Sequence, residues 1–410
     1  MAIRSSRSRG SSMLCENSHL FCNIAHLIIY RNAEHWRAEG KFVYAVFYAL
    51  APYLQPVSCL GHHEGRHSIM RQLTFIRPNC FEWHDVPAPK IQSETDAIVR
   101  PLAVARCDLD LYIATGAVPF PGPFAFGHEM VGEVIDAGSR ANVTPGQHVV
   151  VPFQISCGSC TSCRRGFTAS CEAVPAYSSF GLGGGRVEYG GALSDAIRVP
   201  FADFMLVPLP HGIDPLTAAS AADNIPDGWR AVAPQLAQYP AATVLIVGGL
   251  AQSVGLYAAG AAVALGAGRV LYLDDNRANC ELAKQMGAAA EPLNLGQGRE
   301  PDELFEIVVE AAGSPDALAF AMRSCRPNAI LTSVAMHFGS TTPVPLMQAY
   351  YRGLTFHTSR ASARNWLPDV LGCMACGKLH PEHITHKIVP FAQAADAMTD
   401  SGPKLVFTPD

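Results

Sequence analysis

From residue 70 to about residue 209, apolar and polar residues alternate in short runs broken by glycine and proline. The runs at 97–104, 130–136 and 147–153 predict the strands of an irregular β-rich domain. From about residue 242 the texture changes to strand, glycine turn, helix. VLIVGG (244–249) leads into SVGLYAAGAAVALGA (253–267), and RVLYLDD (269–275) leads into a helix over 278–286. IVVEAAG (307–313), a helix over 315–325 and AILTSVAM (329–336) continue the alternation. Alternating β and α elements with apolar strands predict a parallel, doubly wound sheet. HITHKIV (383–389) and KLVFTP (404–409) read as strands again. The simplest arrangement is a β-rich domain interrupted by an α/β insert, with the last segment returning to the first domain.

Residues 1–69 do not match this text. Their opening MAIRSSRSRGSS is rich in Arg and Ser and has no acid, and the segment carries a net +3 against a net −8 for residues 70–410. The preferred reading is an upstream start, with Met70 as the natural initiator. A transit-like leader and a genuine extra segment are the alternatives. The domain division is therefore 1–69 as an atypical extension, 70–223 as the β-rich domain, 224–362 as the α/β domain and 363–410 as the return.

At 410 residues, 49% hydrophobic and 16% charged, the chain has a globular composition with room for two or three domains. The best apolar stretch, 42–54, is too short for a membrane helix and contains Pro52. A formal charge of −5 gives no reason to propose a nucleic-acid or membrane partner. Thirteen cysteines, an odd and unevenly spread set, do not read as a secreted disulfide framework. They fit a reducing compartment, the cytoplasm, with four to six thiols on metal.

Cys157, Cys160, Cys163 and Cys171 form a C-x2-C-x2-C-x7-C run. Four thiolates on one loop can close a tetrahedral zinc site with no open position, which makes it structural. An open site needs three protein ligands. Cys107, His128 and Asp223 supply a thiolate, an imidazole and a carboxylate in chain order around the lobe. Glu129 is an alternate ligand, and Asp110 is placed to accept the other ring N–H of His128. Taken singly, each of these is more often a core thiol, a structural histidine or a helix cap.

The order of these residues resembles the zinc-dependent alcohol dehydrogenases of the medium-chain dehydrogenase/reductase family. The resemblance spans about residues 70–410 and rests on Cys107 and Asp110 in C-x-x-D, Gly127–Glu129 as GHE, the four lobe cysteines, the glycine turn ending at Gly255, Asp274, and EAAGSPDAL at 310–318. It implies a GroES-like catalytic domain, a Rossmann cofactor domain, one catalytic and one structural zinc, and a homodimer or homotetramer. Two departures stand out. Asp223 falls where many members have a cysteine, as in formaldehyde-dehydrogenase-like branches. Leu109 stands where the family has a relay hydroxyl, and Tyr112 where it often has a relay histidine. Asp108, Asp110, Tyr112 or a water chain is left to carry the proton.

The run G-G-L-A-Q-S-V-G over 248–255 follows a strand and opens a helix, the setting of a dinucleotide turn. Gly248 or Gly249 allows the tight turn and Gly255 the approach of helix to strand. The amides of Ser253 and Val254 are expected to bind the pyrophosphate. Asp274, at the end of the second strand, is expected to accept the adenosine ribose hydroxyls, favouring NAD over NADP, with Arg277 keeping NADP open. The resemblance also implies that Lys404 lies near the pyrophosphate, the other reading being a solvated strand lysine. Cys373 and Cys376 read as a helical, partly buried pair. The expected activity is hydride transfer between a small-molecule alcohol and NAD, giving an aldehyde or ketone. Formaldehyde dehydrogenase-like or aldehyde dismutase activity with tightly bound NAD, and a non-catalytic zinc protein, are the alternatives.

Overall fold

In the computed structural model of the chain, residues 68–183, 185, 187–294 and 299–410 are described. The reading of residues 1–69 as a separate segment lies outside them except for Ser68 and Ile69.

Two elements open the fold as a hairpin, β1 (Ile69–Arg77) and β2 (Cys80–Pro87), turning at Asn79 with φ 59°. Next come β3 (Ala97–Ala105), α1 (Asp108–Thr115), β4 (Phe124–Ala125), β5 (Glu129–Ala137), β6 (His148–Val151), β7 (Ile197–Val199) and β8 (Val207–Pro208). The helix α2 (Asn224–Arg230) leads to β9 (Thr243–Val247), α3 (Gln252–Ala264), β10 (Arg269–Asp274), α4 (Arg277–Gln285) and β11 (Ala289–Pro292). The chain continues through β12 (Phe305–Glu310), α5 (Pro315–Arg323), β13 (Cys325–Ser333), α6 (Leu346–Arg352) and β14 (Thr355–Thr358). It ends with α7 (Ala363–Ala375), β15 (Thr385–Pro390) and β16 (Lys404–Thr408).

These strands make three sheets. β1 pairs with β2 and β4 in a small antiparallel sheet. A seven-stranded sheet runs β15-β16-β3-β5-β6-β8 with β7 on β3, so β16 returns to pair with β3. The third sheet is parallel and six-stranded, in the order β11-β10-β9-β12-β13-β14. Its strand order reverses between β9 and β12, the switch point at which such sheets bind ligands beyond their carboxyl ends. This is the mixed α/β, two-part fold that the hydropathy pattern predicts.

Alternation explains the first core. Leu73 and Phe75 of β1, Val99 of β3 and Met130 of β5 are buried in one cluster with Phe126 and Phe407. The parallel sheet buries both faces, as its continuous apolar strands require. One face packs α3 and α2 through Tyr257 and Trp229, and the other packs α5 through Leu318 and Phe320. Val131 and Val150 of the β-rich sheet join the same cluster as Trp229 and Tyr257, so a continuous apolar core links the two halves. Phe180 and Trp229 are core residues, 1% and 5% exposed.

Among the elements the pattern does not mark are the neighbours α6 and β14. All four residues of β14 are exposed, so its sequence carries no alternation to read. The helix expected over 315–325 stops at Arg323, and Cys325 opens β13 instead. The Arg352 guanidinium donates to the carbonyls of both residues and holds that corner. No helix among the described residues is long and apolar enough to cross a membrane.

Candidate active site

Three chain segments converge on one buried point. Cys107 ends the run out of β3 and sits at the N-terminus of α1. His128 precedes β5 and is turned inward by Gly127, whose φ of +90° is open to glycine and which has Leu193 against it. Asp223 lies between a 3₁₀ turn, Ala219–Ala222, and α2. Cys107, His128, Glu129 and Asp223 each bring one donor atom to within 4.8 Å of the others. All four are buried, His128 and Glu129 almost completely.

The donor chemistry fits a zinc ion. The His128 Nε2 stands 3.4 Å from Asp223 and its Nδ1 stands 3.5 Å from Asp110. Both ring nitrogens are buried without a hydrogen-bond partner, an expensive arrangement unless something coordinates them. The electrostatics agree. Burial, then Asp223 and Glu129, push the Cys107 thiol well above its usual range. Burial also lifts Glu129 to about 7, against the pull of Lys404. Burial pushes His128 down, but Asp110 and Asp223 outweigh it and raise it to about 9. A pocket that forces acids up and an imidazole up together is short of positive charge, which a divalent cation supplies.

A second tier of side chains fixes these donors. Asp110 accepts from the Cys107 amide at 2.9 Å, fastening α1 beneath the site. Asn224 is the hub. Its Nδ2 donates to Cys107 Sγ at 3.3 Å and to Asp223 at 3.0 Å. Its Oδ1 accepts from Lys404 Nζ at 2.7 Å and Ser253 Oγ at 2.8 Å. Lys404 is wholly buried, which corrects its reading as a solvated strand lysine. Its ammonium donates to both Glu129 oxygens at 3.2 Å and to the Arg106 carbonyl at 2.9 Å. Sequence reasoning passed over Asn224. Its one signal was a polar residue directly after Asp223 in an otherwise apolar stretch.

Leu109 packs against the β-rich core and has no polar function there. Tyr112 places its hydroxyl 3.5 Å from the Leu250 carbonyl, in the glycine-rich turn. Asp108 also reaches that turn, where its carboxylate accepts from the Ser253 amide at 2.9 Å and shares the single Ser253 hydroxyl proton, also at 2.9 Å, with Asn224 Oδ1. Through Ser253 and Asn224, Asp108 is hydrogen-bonded in series to the Cys107–Asp223 pair.

Cys157, Cys160, Cys163 and Cys171 gather apart from this cluster as a second group with ligand spacing. Backbone amides point at the sulfurs. Cys160 N–H donates to Cys157, Cys163 and Glu172 N–H donate to Cys160, and Cys157 N–H donates to Cys171, each at 3.4 Å. Burial opposes the Cys157 thiolate, yet hydrogen bonds from Ser159 and Cys160 bring it to about 6. Amides of Glu172 and Cys163 lower Cys160 as well, whereas burial raises Cys171 and takes Cys163 to about 12. Such N–H···S bonds suit thiolates on a metal.

The turn after β9 lies at the switch point of the parallel sheet. A Cβ on Gly248 would come within 2.4 Å of both the Asp274 carboxylate and the Tyr272 hydroxyl, so only glycine fits. At Gly255 a Cβ would meet Ala311 at 3.2 Å, which keeps α3 close to the sheet. Asp274 is buried and accepts from Tyr272 Oη at 2.7 Å, Asn276 N at 2.8 Å and Asn279 Nδ2 at 3.0 Å. Cys373 is half-buried and Cys376 exposed, at the end of α7.

Residues 93–211 match the family model for the alcohol dehydrogenase GroES-like domain, and residues 253–375 match that for zinc-binding dehydrogenase. The zinc-type alcohol dehydrogenase B of Aspergillus flavus is 30% identical over 80% of this chain and 77% of its own. A glutathione-independent formaldehyde dehydrogenase of Pseudomonas aeruginosa is 30% identical over 62% of this chain and 66% of its own. Among solved structures, the alcohol dehydrogenase of Thermus sp. ATN1 superimposes with a TM-score of 0.73 at 29% identity, covering 83% of this chain and all of that one.

Proposed function

Because this chain belongs to the zinc-type alcohol dehydrogenases of the medium-chain dehydrogenase/reductase family, and so is an oxidoreductase, we propose that it moves a hydride between a small alcohol and NAD. The observation that carries this reading is the convergence of Cys107, His128 and Asp223, with two orphaned imidazole nitrogens, next to the switch point of the parallel sheet. A zinc ion held by Cys107, His128 and Asp223 would supply Lewis-acid chemistry toward a substrate oxygen, and a nicotinamide dinucleotide at the glycine turn would supply the hydride acceptor.

The chain's own residues do the positioning. Cys107, His128 and Asp223 would hold the ion. Asp110 faces His128 Nδ1 and selects the tautomer that leaves Nε2 as donor. Lys404 engages both Glu129 oxygens and keeps that carboxylate off the metal. Asn224 orients the thiolate and the Asp223 carboxylate together. Gly248, Gly249 and Gly255 shape the dinucleotide turn, with Ser253 and Val254 opening α3, and Asp274 waits at the ribose end. The lobe cysteines would hold a second, structural zinc.

The test is a panel of alcohols and aldehydes followed by NADH absorbance, with zinc measured on the same protein. Two zincs per chain and turnover of at least one alcohol are expected, and no turnover with either NAD or NADP would sink the reading. Asp274→Ala is expected to weaken NAD about tenfold more than NADP, since the lost carboxylate is a ribose acceptor that repels a 2′-phosphate. Dissociation constants for both cofactors check this, and an unchanged ratio removes Asp274 from that role.

A second reading is aldehyde dismutation with retained NAD, favoured by Asp223 as the acidic third ligand. Conversion of an aldehyde without added NAD decides for it. The free thiols fit a cytoplasmic protein. A homo-oligomer is favoured by the exposed apolar side chains on α6, where Leu346, Met347, Tyr350 and Tyr351 are 67–79% exposed beside the edge strand β14. Light scattering of the purified protein distinguishes it from a monomer.

A further inference from the structure

The first turn of α3 is where a dinucleotide's diphosphate is expected, because a helix start offers amide donors and a positive dipole end. In this chain two of those donors, the amides of Ser253 and Val254, already have a partner. Leu250 and Ala251 N–H donate to the carbonyls of Ala312 and Ala311. The amide and hydroxyl of Ser253 lie 2.9 Å from one oxygen of Asp108, and the Val254 amide lies 3.4 Å from it. Asp108 belongs to α1, in the β-rich half, so the contact joins the two halves across 145 residues of sequence. The Ser253 hydroxyl also bonds Asn224 Oδ1, within the layer that orients the zinc ligands.

We propose that Asp108 is an internal anion that competes with the diphosphate of the dinucleotide for the first turn of α3, and so sets how weakly this chain holds its cofactor. The inference rests on the dinucleotide reading given above and deepens it. Both anions need the same N–H groups, and a diphosphate brought to hydrogen-bond distance of them meets a carboxylate at close range. The dinucleotide either displaces Asp108 or forgoes those donors. Either course lowers affinity and favours an exchanging cofactor over a retained one.

The experiment is calorimetric or fluorescence titration of the zinc-loaded protein with NADH, NADPH, ADP-ribose and adenosine. Asp108→Asn, nearly isosteric and neutral, is expected to tighten whichever dinucleotide binds, and ADP-ribose with it, by roughly tenfold. Adenosine, which lacks the diphosphate, is expected to bind wild type and variant alike. Asp108→Ser removes the charge with a shorter side chain and is expected to do the same, so the result does not depend on one variant folding. An unchanged or weakened dinucleotide, or equal tightening of adenosine, overturns the inference while leaving the functional reading in place. Binding of no dinucleotide by any of the proteins overturns both.

Discussion

Replacing Cys107 by serine is expected to lower alcohol turnover with NAD or NADP by at least about 10³-fold, equivalent to roughly 4 kcal/mol of barrier. The thiolate is the softest of the three proposed ligands, and Asn224 Nδ2 orients it together with Asp223. A serine hydroxyl at that position is a poor zinc donor and does not ionise beside Asp223 and Glu129, which already raise the native thiol. One zinc of two is expected to leave, because the lobe at Cys157–Cys171 is built from separate chain. Elemental analysis, circular dichroism and steady-state kinetics on one preparation separate the outcomes. Wild-type turnover in the variant rejects the open-site assignment, and loss of both metals shows that the fold went with it.

Lys404→Met is expected to destabilise the protein by about 3–5 kcal/mol, the cost of leaving one partner of a buried ion pair alone. Lys404 and Glu129 are both fully buried, 3.2 Å apart, so no water replaces the lost ammonium. Arg106 O loses its Lys404 donor in the same step, and Asn224 Oδ1 loses one of its two. Adding Glu129→Gln is expected to restore much of the loss, since a neutral amide needs no counter-ion. Urea denaturation of the two variants and wild type measures this. A single variant within about 1 kcal/mol of wild type, or a double variant no better than the single, contradicts the buried pair.

The contrast between these residues shows what could be read from the chain alone. The lobe cysteines are legible because all four proposed ligands fall on one loop, so spacing is geometry. Cys107, His128 and Asp223 are legible only as an ordered set, each being weak alone. The doubly wound sheet was visible because continuous apolar strands next to glycine turns admit few other packings. Lys404 was left between a place near the pyrophosphate and a solvated strand position, because nothing near it in sequence announces Glu129. Asn224 and Asp108 share this difficulty. Their partners lie 117 and 145 residues away, at Cys107 and Ser253. Asp108 in particular was weighed as a proton carrier from its neighbours, Cys107 and Leu109. Its contact with α3 depends on a domain junction that no local pattern encodes.

The return of β16 to pair with β3 has a consequence for how the protein is made. Glu129 emerges early in synthesis, but its counter-ion lies 275 residues further along the chain. Until β16 docks, the carboxylate stays wet or protonated, and the pocket around Cys107 and His128 cannot dry. Contacts this distant close late and slowly. A nascent chain or a truncated product lacking the last strand therefore holds the metal-binding residues without the interior that makes them reactive, and a prematurely bound ion would sit in water rather than in an enzyme.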